Sequence, residues 1–114
     1  NSNSKKRDYV FLGDVVSALA LLGEKVREKK VCGEEFNIAA GTGLNAIQVV
    51  ERIGKIAGRK VRYSKKPRFG DRDMVLNTAK ARKVLGWKPN HSFDRALRET
   101  IEWHRNQLSR QKKA

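Results

Sequence analysis

Acidic residues are scarce in this 114-residue chain: 12 Asp and Glu stand against 26 Lys and Arg, a formal charge of +14. Such a surface attracts polyanions at long range whether or not binding them is its task. Cysteine is nearly missing. The single Cys32 excludes an internal disulfide and reads as an ordinary thiol rather than a nucleophile. The two histidines, His91 and His104, have no neighbouring Cys or His with which to complete a zinc site. Long apolar runs are missing too. The longest, 15–22, is interrupted by Ser17 and is far too short to cross a bilayer. The opening residues are polar and then basic, so no secretory leader is expected, and the Asn90-His91-Ser92 sequon is discounted with it. These features make the cytoplasm the expected compartment, with no membrane partner. Aromatic residues make up only 7% and form no stripe interleaved with basic ones, the pattern that nucleic-acid binders often present on an open sheet; Trp87 and Trp103 read as packing residues.

What is there suits one globular α/β domain over 1–114: 39% hydrophobic residues, enough chain for one core and too little for two. Residues 9–12 read as a short strand. Asp14 is placed to cap the helix it opens, whose apolar positions Val15, Leu19, Leu22 and Val26 recur at helical spacing. The run 36–40 suits a buried strand. Asn45 followed by Gln48 has the form of a capping box, Gly58 stops that helix, and 61–66 reads as a further strand. A strand-helix-strand unit over 36–66 takes right-handed parallel pairing as its default, giving a short parallel sheet with flanking helices. Near the end, Leu85 closes a short helix, Gly86 takes the left-handed position after it, and Pro89 prevents its restarting. Ser92 then caps a long amphipathic helix reaching to about 105, with Phe93, Leu97, Thr100 or Ile101, His104 and Leu108 on its inner face.

Three segments in this order carry a resemblance. They are Arg7-Asp8-Tyr9-Val10 leading through Asp14 into a helix, Phe36-Asn37-Ile38-Ala39-Ala40-Gly41, and Arg68-Phe69-Gly70-Asp71 followed by Lys80-Ala81-Arg82-Lys83-Val84-Leu85-Gly86-Trp87. Together they resemble the carboxy-terminal end of the NAD(P)-dependent epimerases and dehydratases of sugar nucleotides, in the extended short-chain dehydrogenase/reductase family. The resemblance implies part of an extended Rossmann-type enzyme: a substrate-binding domain with the amino-terminal cofactor-binding domain absent. That family's Tyr-x-x-x-Lys pair has no counterpart here, because Gly13 and Pro67 stand four residues after Tyr9 and Tyr63. No catalytic residue is assigned. NAD or NADP belongs to the full-length family, and none is expected in this chain.

A nucleoside diphosphate asks for a forked cation at its phosphates and a carboxylate at its ribose hydroxyls. Arg68 and Asp71, three residues apart on a loop with Pro and Gly, fit that demand, and the resemblance gives them those roles; the plainer reading is a surface pair bound to each other. By the same resemblance Arg7 is a second phosphate cation and Tyr9 a packing or hydroxyl contact. Read without it, Arg7 is a solvated member of a basic run and Tyr9 a core residue of an edge strand. Gly41-Thr42-Gly43-Leu44-Asn45-Ala46 matches the dinucleotide pattern between a strand and a helix, yet the next strand ends in Ser64-Lys65-Lys66 with no carboxylate for a ribose diol, although these basic residues would suit the 2′-phosphate of NADP. The resemblance places this turn in the substrate half.

The chain departs from the family pattern at Gly13, Ala39, Asn77 and Ala79, where carboxylates, a hydroxyl and a glycine are usual; affinity is affected by these changes more than fold. The expected partners are a nucleoside diphosphate sugar and either a second copy or a separate cofactor-domain chain. A small basic module for nucleic acid or another polyanion is the alternative, and a folded remnant that binds nothing is the third.

Overall fold

The computed structural model describes residues 5–62 and 72–113. Within them the order is β1 (Lys6–Asp8), α1 (Leu12–Lys25), β2 (Gly43–Asn45), α2 (Ala46–Ala57), a π-helical turn (Ala81–Leu85) and α3 (Phe93–Lys113). The class is α/β, with a two-stranded sheet and a long carboxy-terminal helix.

The sheet is where expectation and structure part. β1 pairs with β2 antiparallel, Arg7 opposite Leu44. A single parallel bridge joins Arg7 to Met74. The expected strand at 36–40 has no backbone ladder among the described residues. It is held from the side instead, where the Asn37 amide donates to the Asn77 carbonyl at 3.2 Å and Ala39 is buried. Without a ladder there is no parallel pair for the crossover to connect. Most of the second expected strand, 63–66, lies outside the described residues, and 61–62 are not in a strand. Residues 9–12 are unpaired as well: β1 ends at Asp8, and Phe11 is already the extended residue preceding α1.

Local punctuation follows the sequence closely. Asn45 and Gln48 form both halves of a capping box, at 2.8 and 2.9 Å. Gly58 and Gly86 close their helices at φ 67 and φ 66, where any side chain would be strained. The Ser92 hydroxyl accepts from the Arg95 amide. α3 continues to Lys113 rather than stopping near 105, since nothing after 105 breaks a helix and Arg110, Lys112 and Lys113 favour its negative end.

Asp14 does something other than cap. It lies inside the first turn of α1, 2% exposed, and its carboxylate accepts the Asn90 amide at 3.0 Å, the His91 amide at 3.2 Å and His91 Nδ1 at 2.9 Å. A carboxylate only accepts, so Nδ1 is the protonated nitrogen. Beside it the Trp87 indole donates to the Asp14 carbonyl and to the Ser17 hydroxyl, both at 3.0 Å. Trp87 is 2% exposed and joins Ala18, Val31, Ala81 and Leu85 in an apolar cluster, so the polar lock and the core share a residue. Lys25 adds a bond to the Leu85 carbonyl from the far end of α1.

Burial by itself would raise the Asp14 pKa. The hydrogen bond from the His91 ring, the two amides and the attraction of His91 outweigh it and hold the carboxyl below its ordinary value. A carboxyl depressed in the folded state stabilises the fold above its unfolded pKa, and that contribution is lost as pH falls through the folded one. Urea midpoints measured from pH 7 downward should therefore drop on the acid side of the ordinary carboxylate range. In Asp14→Asn the midpoint should already be lower at pH 7, by about 2–3 kcal/mol in stability, because an amide group faces donors that need an acceptor. The acid slope of that variant should be shallower, and an unchanged slope would remove Asp14 as its source.

Candidate functional site

Around the Asp14 lock the chain leaves a groove of about 870 Å³ between residues 9–14, the turn at 40–44, the 89–92 loop and the first half of α3. Its lining is mainly apolar, with Tyr9, Phe11, Val16, Leu97 and Trp103 prominent, and His91 and Glu99 supply a polar end. His91 bridges the two carboxylates, Nδ1 on Asp14 and Nε2 3.8 Å from Glu99. The Phe11 ring lies tilted over His91 at 4.5 Å.

Tyr9 is 43% exposed and sits edge-on to Phe93 at 6.0 Å, so it is a rim residue rather than a core one. Arg7 is not among the residues that line the groove. It is half-buried in β1, with its guanidinium donating to the Arg72 carbonyl and, at 3.4 Å, to the Lys6 carbonyl. Arg68 and Asp71 lie outside the described residues, so the structure describes two of the four expected contacts, of which Tyr9 lines the groove and Arg7 does not.

The glycine-rich turn is already engaged. Its amides at Ala40 and Gly41 donate to the Asp8 carboxylate at 2.7 and 2.9 Å, and Gly43 is in β2, where an added Cβ would meet Val75 at 2.6 Å. The amide at Gln48 is taken by the Asn45 cap. Neither Asp8 nor the Asp14–His91 pair was visible as a unit in the sequence, because their partners lie tens of residues away. His104 and Leu108 were expected to face inward and are exposed, as is Trp103, whose ring meets His104 edge-on. Elsewhere Glu34 is held below its ordinary pKa by the hydrogen bond and charge of Lys80, a surface pair. Among the described residues no group of His, Cys, Asp and Glu could hold a metal ion, and no helix is long and apolar enough to cross a membrane.

No protein-family model matches the chain. A UDP-glucose 4-epimerase from Lactobacillus helveticus is 34% identical over 103 residues, which is 88% of this chain and 31% of the relative. The crystal structure of UDP-glucose 4-epimerase with UDP-glucose from Thermotoga maritima aligns at TM-score 0.79 and 36% identity, over 95% of this chain and 34% of that one. This chain belongs to the NAD-dependent epimerase/dehydratase family. By the order of its motifs it matches the carboxy-terminal portion, and it spans about a third of the length of the curated relatives it matches. A further family structure, the Bordetella bronchiseptica enzyme WbmF in complex with NAD+ and UDP, aligns at TM-score 0.75 and 28% identity over 96% of this chain.

The two tryptophans give the groove a spectroscopic check. Trp87 is shut inside the core and Trp103 is 57% exposed on the groove rim. Acrylamide should quench one component of the intrinsic fluorescence in dilute solution, and Trp103→Phe should leave only the protected component. Two equally protected tryptophans would mean that the groove is covered.

Proposed function

We propose that this chain is the sugar-nucleotide-binding portion of an epimerase or dehydratase, one domain over 1–114 that holds a nucleoside diphosphate sugar and contributes no hydride chemistry. The observation that carries the reading is the 36% identity and 0.79 TM-score, over 95% of the chain, to an epimerase structure holding UDP-glucose. In this reading Arg7 and Arg68 are the phosphate cations, Asp71 accepts the ribose hydroxyls and Tyr9 packs at the ligand's edge. Arginine suits the role because its planar fork can donate two parallel bonds to phosphate oxygens. NAD or NADP is assigned to the remainder of the family enzyme and not to these residues.

Calorimetric titration at physiological salt with UDP-, GDP- and dTDP-sugars tests this, with a DNA duplex as control. One sugar nucleotide should bind saturably, and Arg68→Ala and Arg7→Ala should each weaken it by about tenfold or more, the loss of a charge-assisted hydrogen bond. The charge of +14 supports the competing polyanion reading. Binding confined to DNA, with heat that vanishes as salt rises, would establish that reading in place of ours.

The uncovered apolar surface supports association with a second copy or with a separate cofactor-binding chain. Leu12 is 73% exposed, Leu19 62% and Val16 55%, all on α1. Contiguous surfaces of this kind tend to be covered. Sedimentation should show a mass that grows with concentration and returns toward the monomer in the Leu12→Lys, Leu19→Lys double variant. A native chain that stays monomeric at high concentration counts against self-association.

A further inference from the structure

β1 is sewn to the segment 72–76 residue by residue. The Lys6 amide donates to Asp73 Oδ1 at 2.8 Å, and the Met74 amide returns to the Lys6 carbonyl at 2.9 Å. The Arg7 guanidinium donates to the Arg72 carbonyl. Asp8 Oδ2 accepts the Leu76 amide at 3.2 Å. Asp8 differs from its neighbours in reaching a third element, since the same carboxylate takes the amides of Ala40 and Gly41. Two successive amides can converge on one anion because Gly41 has φ 76, a conformation that a side chain would strain. Three amide donors on one carboxylate are charge-assisted bonds, stronger than those between neutral groups.

We propose that Asp8 is a positioning residue that acts through Arg7. By clamping the 40–41 turn and the 72–76 segment at one carboxylate, it fixes the carbonyl that receives the Arg7 guanidinium and so sets the direction in which Arg7 meets an anionic ligand. The proposal rests on the reading of Arg7 as a phosphate cation. Arg7 is only partly buried in a three-residue strand, and a long side chain that is already ordered loses less entropy when it binds. Asparagine at position 8 would keep the size, remove the charge and turn one acceptor into a donor facing an amide.

The test is a double-mutant cycle read by calorimetry with UDP-glucose as the probe: the native chain, Asp8→Asn, Arg7→Ala and the double variant, each checked for a thermal transition. Asp8→Asn should weaken binding about tenfold, and the double variant should bind no more weakly than Arg7→Ala alone. A purely structural Asp8 would instead give losses that multiply, about a hundredfold together, and that outcome overturns the proposal. So does native-like affinity in Asp8→Asn. Should Asp8→Asn fail to fold, Gly41→Ala replaces it, since it keeps the carboxylate and strains the turn, and the same masking by Arg7→Ala is expected. If Arg7→Ala binds as tightly as the native chain, the phosphate role of Arg7 falls first and takes this inference with it. A native chain that binds no UDP-glucose overturns both, and the cycle thus separates the failure of the clamp from the failure of the nucleotide reading.

Discussion

A carboxylate taken out of water must find its donors inside the protein, and the way Asp14 finds them fixes how the two ends of this chain meet. Its donors are the amides of Asn90 and His91 and the His91 ring. The loop that presents them begins at Trp87, whose indole is held by the Asp14 carbonyl, and it ends at the Ser92 cap of α3. One buried residue on α1 therefore sets where α3 starts. The hydrogen bonds do not act alone. Trp87 also fills the centre of the apolar cluster, so loss of the lock would loosen the packing, and loss of the packing would expose the lock to water.

Among the described residues the opposite side of α1, with Leu12, Val16 and Leu19 exposed, has no such partner. The radius of gyration is 17.4 Å, where a compact chain of this length has about 13 Å, and the shortest extent is 21 Å against 50 Å for the longest. The protein is a slab about two helices thick. Among the described residues the buried apolar ones are few: Ala18, Val31, Ala39, Ala81, Leu85 and Trp87. A helix that is apolar around most of its circumference is ordinarily buried on both sides, and α1 meets that description with only one side covered. The groove lies where the first turns of α1 face the first half of α3, with the 40–44 turn and the 89–92 loop completing its walls.

What was legible in the sequence was what a few neighbouring residues decide. The capping box at Asn45 and Gln48, the closing glycines at 58 and 86 and the Ser92 cap are each settled within four residues, and all stand as read. Asp14 has the same look as a cap, but its donors come from 76 and 77 residues away, and no local pattern announces them. Sheet pairing failed for a related reason. A short apolar run such as 36–40 reports that it is buried, not that a strand lies beside it. On α3 the helical period was right and the inner face was not. His104, Leu108 and Trp103 lie beyond the part of the helix that the small core reaches, so amphipathicity there describes an exposed face. For the candidate site, the motifs nominated Arg7, Tyr9, Arg68 and Asp71, while the bonds that hold Arg7 became visible only once 72–76 was seen against β1.

The glycine-rich turn shows how one local geometry serves different ends. A pattern such as Gly41-Thr42-Gly43-Leu44-Asn45-Ala46 specifies backbone amides that can converge on an anion; it does not specify whose anion. In a dinucleotide site the anion is a pyrophosphate. Here it is the carboxylate of Asp8, supplied by the chain itself, and the helix start that would complete a phosphate cradle is closed by its own capping box. The turn has thus become a joint between elements. It ties β1 to the 72–76 segment through the same carboxylate, and the two convergent amides are already in use.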